Sequence, residues 1–226
     1  MAWITSFFHY FRRAAGLLAM PLLLAGCATV NPPAGSDAGT PAGERQAARS
    51  YHDAIYLGGR MSMRYQQNGN DQAVHGSFTW AQSPGRTVVT LLSPLGQTIA
   101  AIDITPNLST LTRAGQAPRT ATDVDALAAG ALGWPLPVSG LRDWLQGFAT
   151  DADGKRFVAA PYGGTTDVTT RDGWRIHYSS WQDDAAQNRP KRIDLSRNTV
   201  QAGDVAIRLV IDTWQPREPI GPAASQ

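Results

Sequence analysis

The chain has a single cysteine, Cys27, in 226 residues. That excludes an internal disulfide framework and any cysteine-rich metal site, and a lone thiol in an oxidising compartment is a liability unless it is used. Catalytic signatures are missing as well. There is no Gly-x-Ser-x-Gly elbow, no His-Glu-x-x-His and no phosphate loop, and His52, His75 and His177 are scattered without an obvious shared acid. Asp151-Ala152-Asp153-Gly154 opens like a calcium loop, but Lys155 stands where a third oxygen ligand belongs, so the segment reads as a solvated turn. No catalytic residue, metal or cofactor is expected. Long apolar runs are also absent: Ala14–Leu24 falls short of the ~20 residues that span a bilayer, and Pro21 interrupts it. Residues 1–26 contain no Asp or Glu. There is no block of like charge and no basic stripe interleaved with aromatics, which sets nucleic acid aside.

The N-terminus carries an address. Arg12 and Arg13 precede the apolar run, which ends in Leu24-Ala25-Gly26-Cys27. A basic region, an apolar region and a small-residue cleavage site, in that order, predict a signal peptide over residues 1–26. The Leu-Ala-Gly-Cys ending resembles the bacterial lipobox, which implies that Cys27 is the acylated first residue of the mature chain. Each buried CH₂ contributes ~0.8 kcal/mol, so one acyl chain binds reversibly and several anchor stably. The expected product is attached to a membrane without crossing it. Ala28 follows the cysteine where an aspartate would, by analogy, retain the protein at the inner membrane, so the expected address is the outer membrane, facing the periplasm. With Arg12 and Arg13 removed, the 20 Lys and Arg and 18 Asp and Glu of the full chain come into formal balance.

Residues 27–43 hold the lipidated cysteine and a Pro/Gly/Ala/Ser-rich stretch without apolar periodicity, which reads as a flexible tether. A single domain is expected over residues 44–214, and residues 215–226 read as a disordered tail. No internal repeat of fixed period is present. Ala47, Tyr51 and Ile55 fall on one helical face and predict a short helix over Glu44–Ile55. Short β-rich runs follow at Arg60–Tyr65, Val74–Ala81, Thr87–Leu92, Thr98–Ile104 and Ser109–Thr112, with Asn68-Gly69-Asn70 as a hairpin turn. Short turns between consecutive strands mean an antiparallel meander. Thr122–Asp125 offers an N-cap for a helix over Ala126–Leu132, and a second helix is expected over Val138–Gln146, closed by Gly147. Strands resume at Asp167–Thr170, Trp174–Trp181, Arg192–Leu195 and Val205–Trp214. The pattern is mainly β: a partly closed antiparallel barrel with the helical pair as a lid.

Six ordered motifs then become specific: Leu57-Gly58-Gly59-Arg60-Met61-Ser62, Gly76-Ser77-Phe78-Thr79-Trp80, Leu91-Leu92-Ser93-Pro94-Leu95-Gly96, Gly133-Trp134-Pro135-Leu136-Pro137, Leu141-Arg142-Asp143-Trp144-Leu145-Gln146-Gly147 and Leu209-Val210-Ile211-Asp212-Thr213-Trp214. Together they resemble the LolB family, over essentially Ala47–Trp214. The resemblance implies an incomplete antiparallel β-barrel (LolA/LolB-like) with a short helical lid over an apolar cavity. It implies a non-enzymatic, monomeric outer-membrane lipoprotein that accepts acylated lipoproteins from a LolA-like periplasmic carrier, holds their acyl chains and inserts them into outer-membrane lipid.

Trp80, Trp134, Trp144, Trp174 and Trp181 are the candidate cavity walls, since tryptophan brings broad apolar area with one donor. Ordinary core is the alternative for each. Proline presets a turn at Pro94, Leu95 and Gly96, glycine closes it, and Leu95 stands at the tip unless it folds back on its own strands; the resemblance implies that this is the membrane-insertion loop, with Leu95 in the place of the family's protruding leucine. Two other functions remain open on the residues alone. One is a structural lipoprotein binding an outer-membrane β-barrel partner through its sheet edge. The other is a hydrolase, which a polar cleft holding a histidine beside a carboxylate would favour.

Overall fold

The long hairpin that organises the fold starts from strict alternation: Met61, Met63 and Tyr65 point inward while Arg60, Ser62 and Arg64 point out. Strand β1 (Ile55–Gln67) pairs with β2 (Asn70–Ser83) one-to-one from Ile55↔Gln82 to Gln67↔Asn70. Asn68 and Gly69 connect them with φ of 52° and 76°, the left-handed pair that matches strand twist in a two-residue hairpin. In a computed structural model, the chain is described over residues 49–160, 164–182 and 189–216, all within the unit Gly39–Gln226. The expected signal peptide, Cys27, the tether and most of the expected tail lie outside the described residues.

The meander continues through β3 (Arg86–Leu92), β4 (Thr98–Ile104), β5 (Ser109–Thr112) and β6 (Arg119–Ala121). Helices α1 (Val124–Leu132) and α2 (Val138–Trp144) follow, then the hairpin β7 (Phe148–Thr150) and β8 (Arg156–Val158). The chain returns through β9 (Asp167–Thr169), β10 (Arg175–Trp181), β11 (Pro190–Thr199) and β12 (Gly203–Pro216). The last strand pairs with the first, Leu57 facing Trp214 and Met63 facing Ile207. One antiparallel sheet of 10 strands results, in the order β6-β5-β4-β3-β2-β1-β12-β11-β10-β9. Strands β6 and β9 are its two edges, so the barrel is incomplete.

Two glycines let neighbouring backbones approach closely. A Cβ on Gly59 would lie 2.1 Å from the Val210 carbonyl oxygen, and one on Gly76 would lie 2.1 Å from that of Leu92. Backbone approaches so close leave room for hydrogen alone. The helices cover the inward face. Val124, Leu127, Ala128 and Ala131 of α1 and Val138, Leu141 and Trp144 of α2 are buried in the same core as the inward strand residues. Helix α1 is capped by the Asp123 carboxylate, which accepts from the amides of Asp125 and Ala126 at 2.9 and 3.0 Å. At its other end Arg113 and Arg119 donate to the carbonyls of Ala131 and Gly130 at 2.6 and 2.9 Å. These are groups the helix itself cannot satisfy, and the cations complement its dipole.

The fold class matches the expectation, with local corrections. The helix expected over Glu44–Ile55 is not formed where it is described: residues 49–54 are non-helical and Ile55 opens β1. The backbone of this segment finds tertiary partners instead. The His52 amide donates to Gln146 Oε1 at 2.9 Å, and its carbonyl accepts from Gln146 and Gln82 at 3.1 and 3.3 Å. Helix α2 ends two residues earlier than expected, at Trp144, and the three-residue strands β6, β7 and β8 were not expected at all.

Candidate lipid-handling site

Leu95 stands at the tip of the β3–β4 hairpin and is 87% exposed. The turn beneath it is firmly closed: the Ser93 amide donates to the Gln97 carbonyl at 2.8 Å, the Gly96 amide to the Ser93 carbonyl at 2.9 Å, and the Gln97 amide to Ser93 Oγ at 3.2 Å. Gly96 takes φ 80°, and Pro94 precedes Leu95 in the turn. The leucine does not fold back on its strands. The turn holds this side chain out in solvent, and it adds nothing to the core.

The tryptophans divide differently from Leu95. Trp80 and Trp174 are 1% and 2% exposed, Trp134 and Trp144 are buried, and Trp181 is partly buried against the same core. Trp144 of α2 meets Trp174 with ring centroids 6.4 Å apart, and Trp181 stacks on Tyr178 at 5.9 Å. The Tyr178 hydroxyl donates to the Trp144 carbonyl at 3.1 Å, tying β10 to the end of α2, and burial pushes its pKa far above the usual phenol range. All five candidates thus belong to the space between sheet and helices, which side chains fill. An opening of about 450 Å³ reaches this space beside Trp174, between α1, the Pro135-Leu136-Pro137 connection and Val200 of the β11–β12 hairpin.

The opposite end is strapped by the chain leading into β1. Arg49 donates to the Ala159 carbonyl at 2.6 Å and lies 4.9 Å over the Trp181 ring, and burial lowers its pKa. Trp80 Nε1 donates to Gln82 Oε1 at 3.1 Å, and Gln82 donates to the Tyr51 hydroxyl at 3.1 Å. Gln82 and Gln146 are each 2% exposed. The sequence reading missed this network. The signal was there, because Gln82 occupies an inward position of the period-2 pattern that carries Phe78 and Trp80.

The histidines do not assemble a catalytic centre among the described residues. His177 does have an acid, Asp167 at 2.7 Å across β9 and β10, contrary to expectation, but the His177 side chain is about half exposed, that of Asp167 more so, and the pair lies on the outward face. The segment expected to be a solvated turn is an Asx-type turn, in which the Asp151 carboxylate accepts from the amides of Asp153 and Lys155 at 3.0 and 2.8 Å. Among the described residues no helix is long and apolar enough to cross a membrane. Cys27 lies outside them.

Comparison with known proteins is consistent along the domain. A chain from Cupriavidus necator, named outer-membrane lipoprotein LolB, is 40% identical over 208 residues, covering 92% of this chain and 98% of that one. The corresponding Cupriavidus pinatubonensis protein is 42% identical over 213 residues, covering 89% and 94%. Among solved structures, a LolA superfamily protein from Nitrosomonas europaea aligns with a TM-score of 0.43 at 9% identity, over 78% of this chain and 91% of that one. The family profile described as outer membrane lipoprotein LolB matches residues 53–214, the whole sheet with its helices, and the chain therefore belongs to the LolB family.

Proposed function

We propose that this protein is an outer-membrane lipoprotein that receives lipoproteins from a LolA-like periplasmic carrier, shelters their acyl chains between its sheet and helices, and delivers them into outer-membrane lipid. Residues 1–26 are the export signal, Cys27 carries the acyl anchor, and the mature chain works as a monomer. The observation that carries this reading is Leu95, 87% exposed on a turn closed by three hydrogen bonds, in a member of this family. Acyl chains need a concave apolar surface with few fixed polar groups. The tryptophan-rich face under α1 and α2 has that character, and the opening beside Trp174 is where chains would enter. Binding and release are the whole of the chemistry on this reading, with no bond made or broken.

The sheet edges argue against strand addition to a β-barrel partner. Strands β6 and β9 are three residues each, too short to template a stable added strand. The test mixes the mature chain, with Cys27→Ala, with a carrier–lipoprotein complex and follows the lipoprotein by affinity capture. Cargo is expected to move onto the chain and then into added liposomes. Cargo that stays on the carrier at high acceptor concentration would refute the proposal.

A further inference from the structure

A groove of about 780 Å³ lies on the outward face of the sheet, and charged and polar side chains line it together with apolar surface. Two cross-strand rows form it. Register places His75, Ser62, Arg208, Asp194, His177 and Asp167 in one row from β2 to β9. The next row runs Ala73, Arg64, Ala206, Ser196, Arg175 and Thr169. The hollow has a steric cause: Ala206 and Ser196 lie between Arg64 and Arg175, so two long cations flank a trough floored by small residues. At ~4.8 Å per strand, the two arginine Cα atoms are ~14 Å apart.

The charges in the groove are unequally matched. Asp194 accepts from Arg208 and Arg192 at 2.7 and 3.0 Å, and Asp167 is taken by His177. The Asp194 pKa is lowered; burial raises it, but the hydrogen bonds from Arg208, Ser179 and Arg192 outweigh that. Arg175 reaches only the Ser196 hydroxyl, at 3.3 Å, and Arg64 has no hydrogen bond or ion pair among the described residues. Two guanidiniums therefore face the trough without a carboxylate. Guanidinium is the side chain best shaped for a phosphodiester, because its fork donates two parallel hydrogen bonds.

Position selects the source of that phosphate. A second hollow of about 520 Å³ shares Ser62, His75 and Arg208 with the groove and extends to Ser93, Pro94 and Gly96, the foot of the Leu95 turn. The cationic trough and the protruding leucine are therefore one continuous surface. Such a surface fits a bilayer, with Leu95 at acyl depth and the guanidiniums at the phosphates.

We propose that the trough between Arg64 and Arg175 binds the headgroups of anionic phospholipids and so sets the orientation in which the Leu95 turn meets the membrane. This rests on the membrane-facing reading of Leu95 but needs no carrier or cargo, so the two can fail separately. The mature chain with Cys27→Ala is sedimented with vesicles of phosphatidylcholine alone, or with a third of it replaced by phosphatidylglycerol. The additional double substitution Arg64→Gln/Arg175→Gln is compared with Lys155→Gln/Arg171→Gln, which removes the same charge from turns outside the groove. Anionic vesicles are expected to bind the parent well above neutral ones. Arg64→Gln/Arg175→Gln is expected to lose about thirtyfold of that binding, from ~1 kcal/mol per surface cation, and the control little. Equal losses in both variants, or no preference for the anionic lipid, would overturn the inference. So would a defect in cargo uptake from the carrier with vesicle binding unchanged, which would make the trough a protein-docking face.

Discussion

On the function proposed above, replacing Leu95 with glutamate is expected to separate delivery from every other property of the molecule. Leu95 is 87% exposed, and its turn is closed by backbone groups and Ser93 Oγ, none of which the substitution removes. Folding stability is therefore expected to change by no more than ~0.5 kcal/mol, as for surface positions generally. The membrane step is different. Moving a leucine side chain from water into an apolar phase is favourable by ~1.5–3 kcal/mol, and a carboxylate forfeits all of it. At ~1.4 kcal/mol per tenfold, membrane engagement falls by a factor of at least ten and up to about a hundred. In the transfer assay, the Leu95→Glu chain should take cargo from the carrier as the parent does and then retain it, with liposome flotation reading the deficit. Leu95→Met keeps the apolar area and should deliver normally. Three results would refute the reasoning: normal delivery by Leu95→Glu, parallel loss of uptake and delivery, or destabilisation beyond 1 kcal/mol in urea.

Three further substitutions probe the scaffold. Gln146→Ala leaves the His52 amide without its 2.9 Å acceptor in a buried setting; a loss of ~1–3 kcal/mol is expected in urea denaturation, with faster tryptic cleavage at Arg49. An unchanged midpoint would mean that the strap is not held by this residue. Gly76→Ala would put a Cβ 2.1 Å from the Leu92 carbonyl oxygen, so the backbone must move; a cost of ~1–3 kcal/mol is expected from overpacking, against near-neutrality if the hairpin yields freely. For Asp125, burial raises the pKa although the carboxylate accepts from the Ser139 amide and hydroxyl at 2.9 and 2.5 Å. The folded state then holds the proton more tightly than the unfolded one, so this group's contribution declines as pH climbs from the ordinary aspartate value of ~3.9 through the raised folded value. Asp125→Asn removes that decline. Its stability relative to the parent should rise over that window, and parallel stability–pH curves would contradict the assignment.

How much of this could be read from the residues depended on how local each signal was. Strands β4 and β5 match expectation residue for residue, because alternation and flanking Pro, Gly and Asn mark them without help from the rest of the chain. Strands β6, β7 and β8 are three residues each, too short for a period to register, and exist because a neighbour supplies the ladder. The segment before β1 misled for a related reason. Tyr51 and Ile55 have helical spacing, but His52 bonds to Gln82 and Gln146, which lie far along the chain and override local preference. The outward groove was hidden most deeply, since Arg64 and Arg175 are neighbours across the sheet only through the β1–β12 closure.

The tryptophans pose a harder problem that more sequence reading would not solve. Core and cavity wall both require large apolar residues at inward positions, so pattern alone gives them the same signature. Burial does not separate them either, because Trp80 and Trp174 of the sheet side and Trp144 of α2 are all packed in the core between sheet and helices. On the function proposed above, that packing has an energetic meaning. An incoming chain replaces contacts between helices and sheet instead of filling empty space, so its net affinity is the difference between two apolar packings. A small difference suits an intermediate acceptor: about 1.4 kcal/mol suffices for a tenfold bias over the carrier, whereas a deep, permanently open cavity would hold cargo too tightly to release. Leu95 stands outside this packing, exposed at its turn and absent from the core. Having no inward partner, it would act on the membrane without disturbing the interior, and its substitution is therefore expected to separate release from capture.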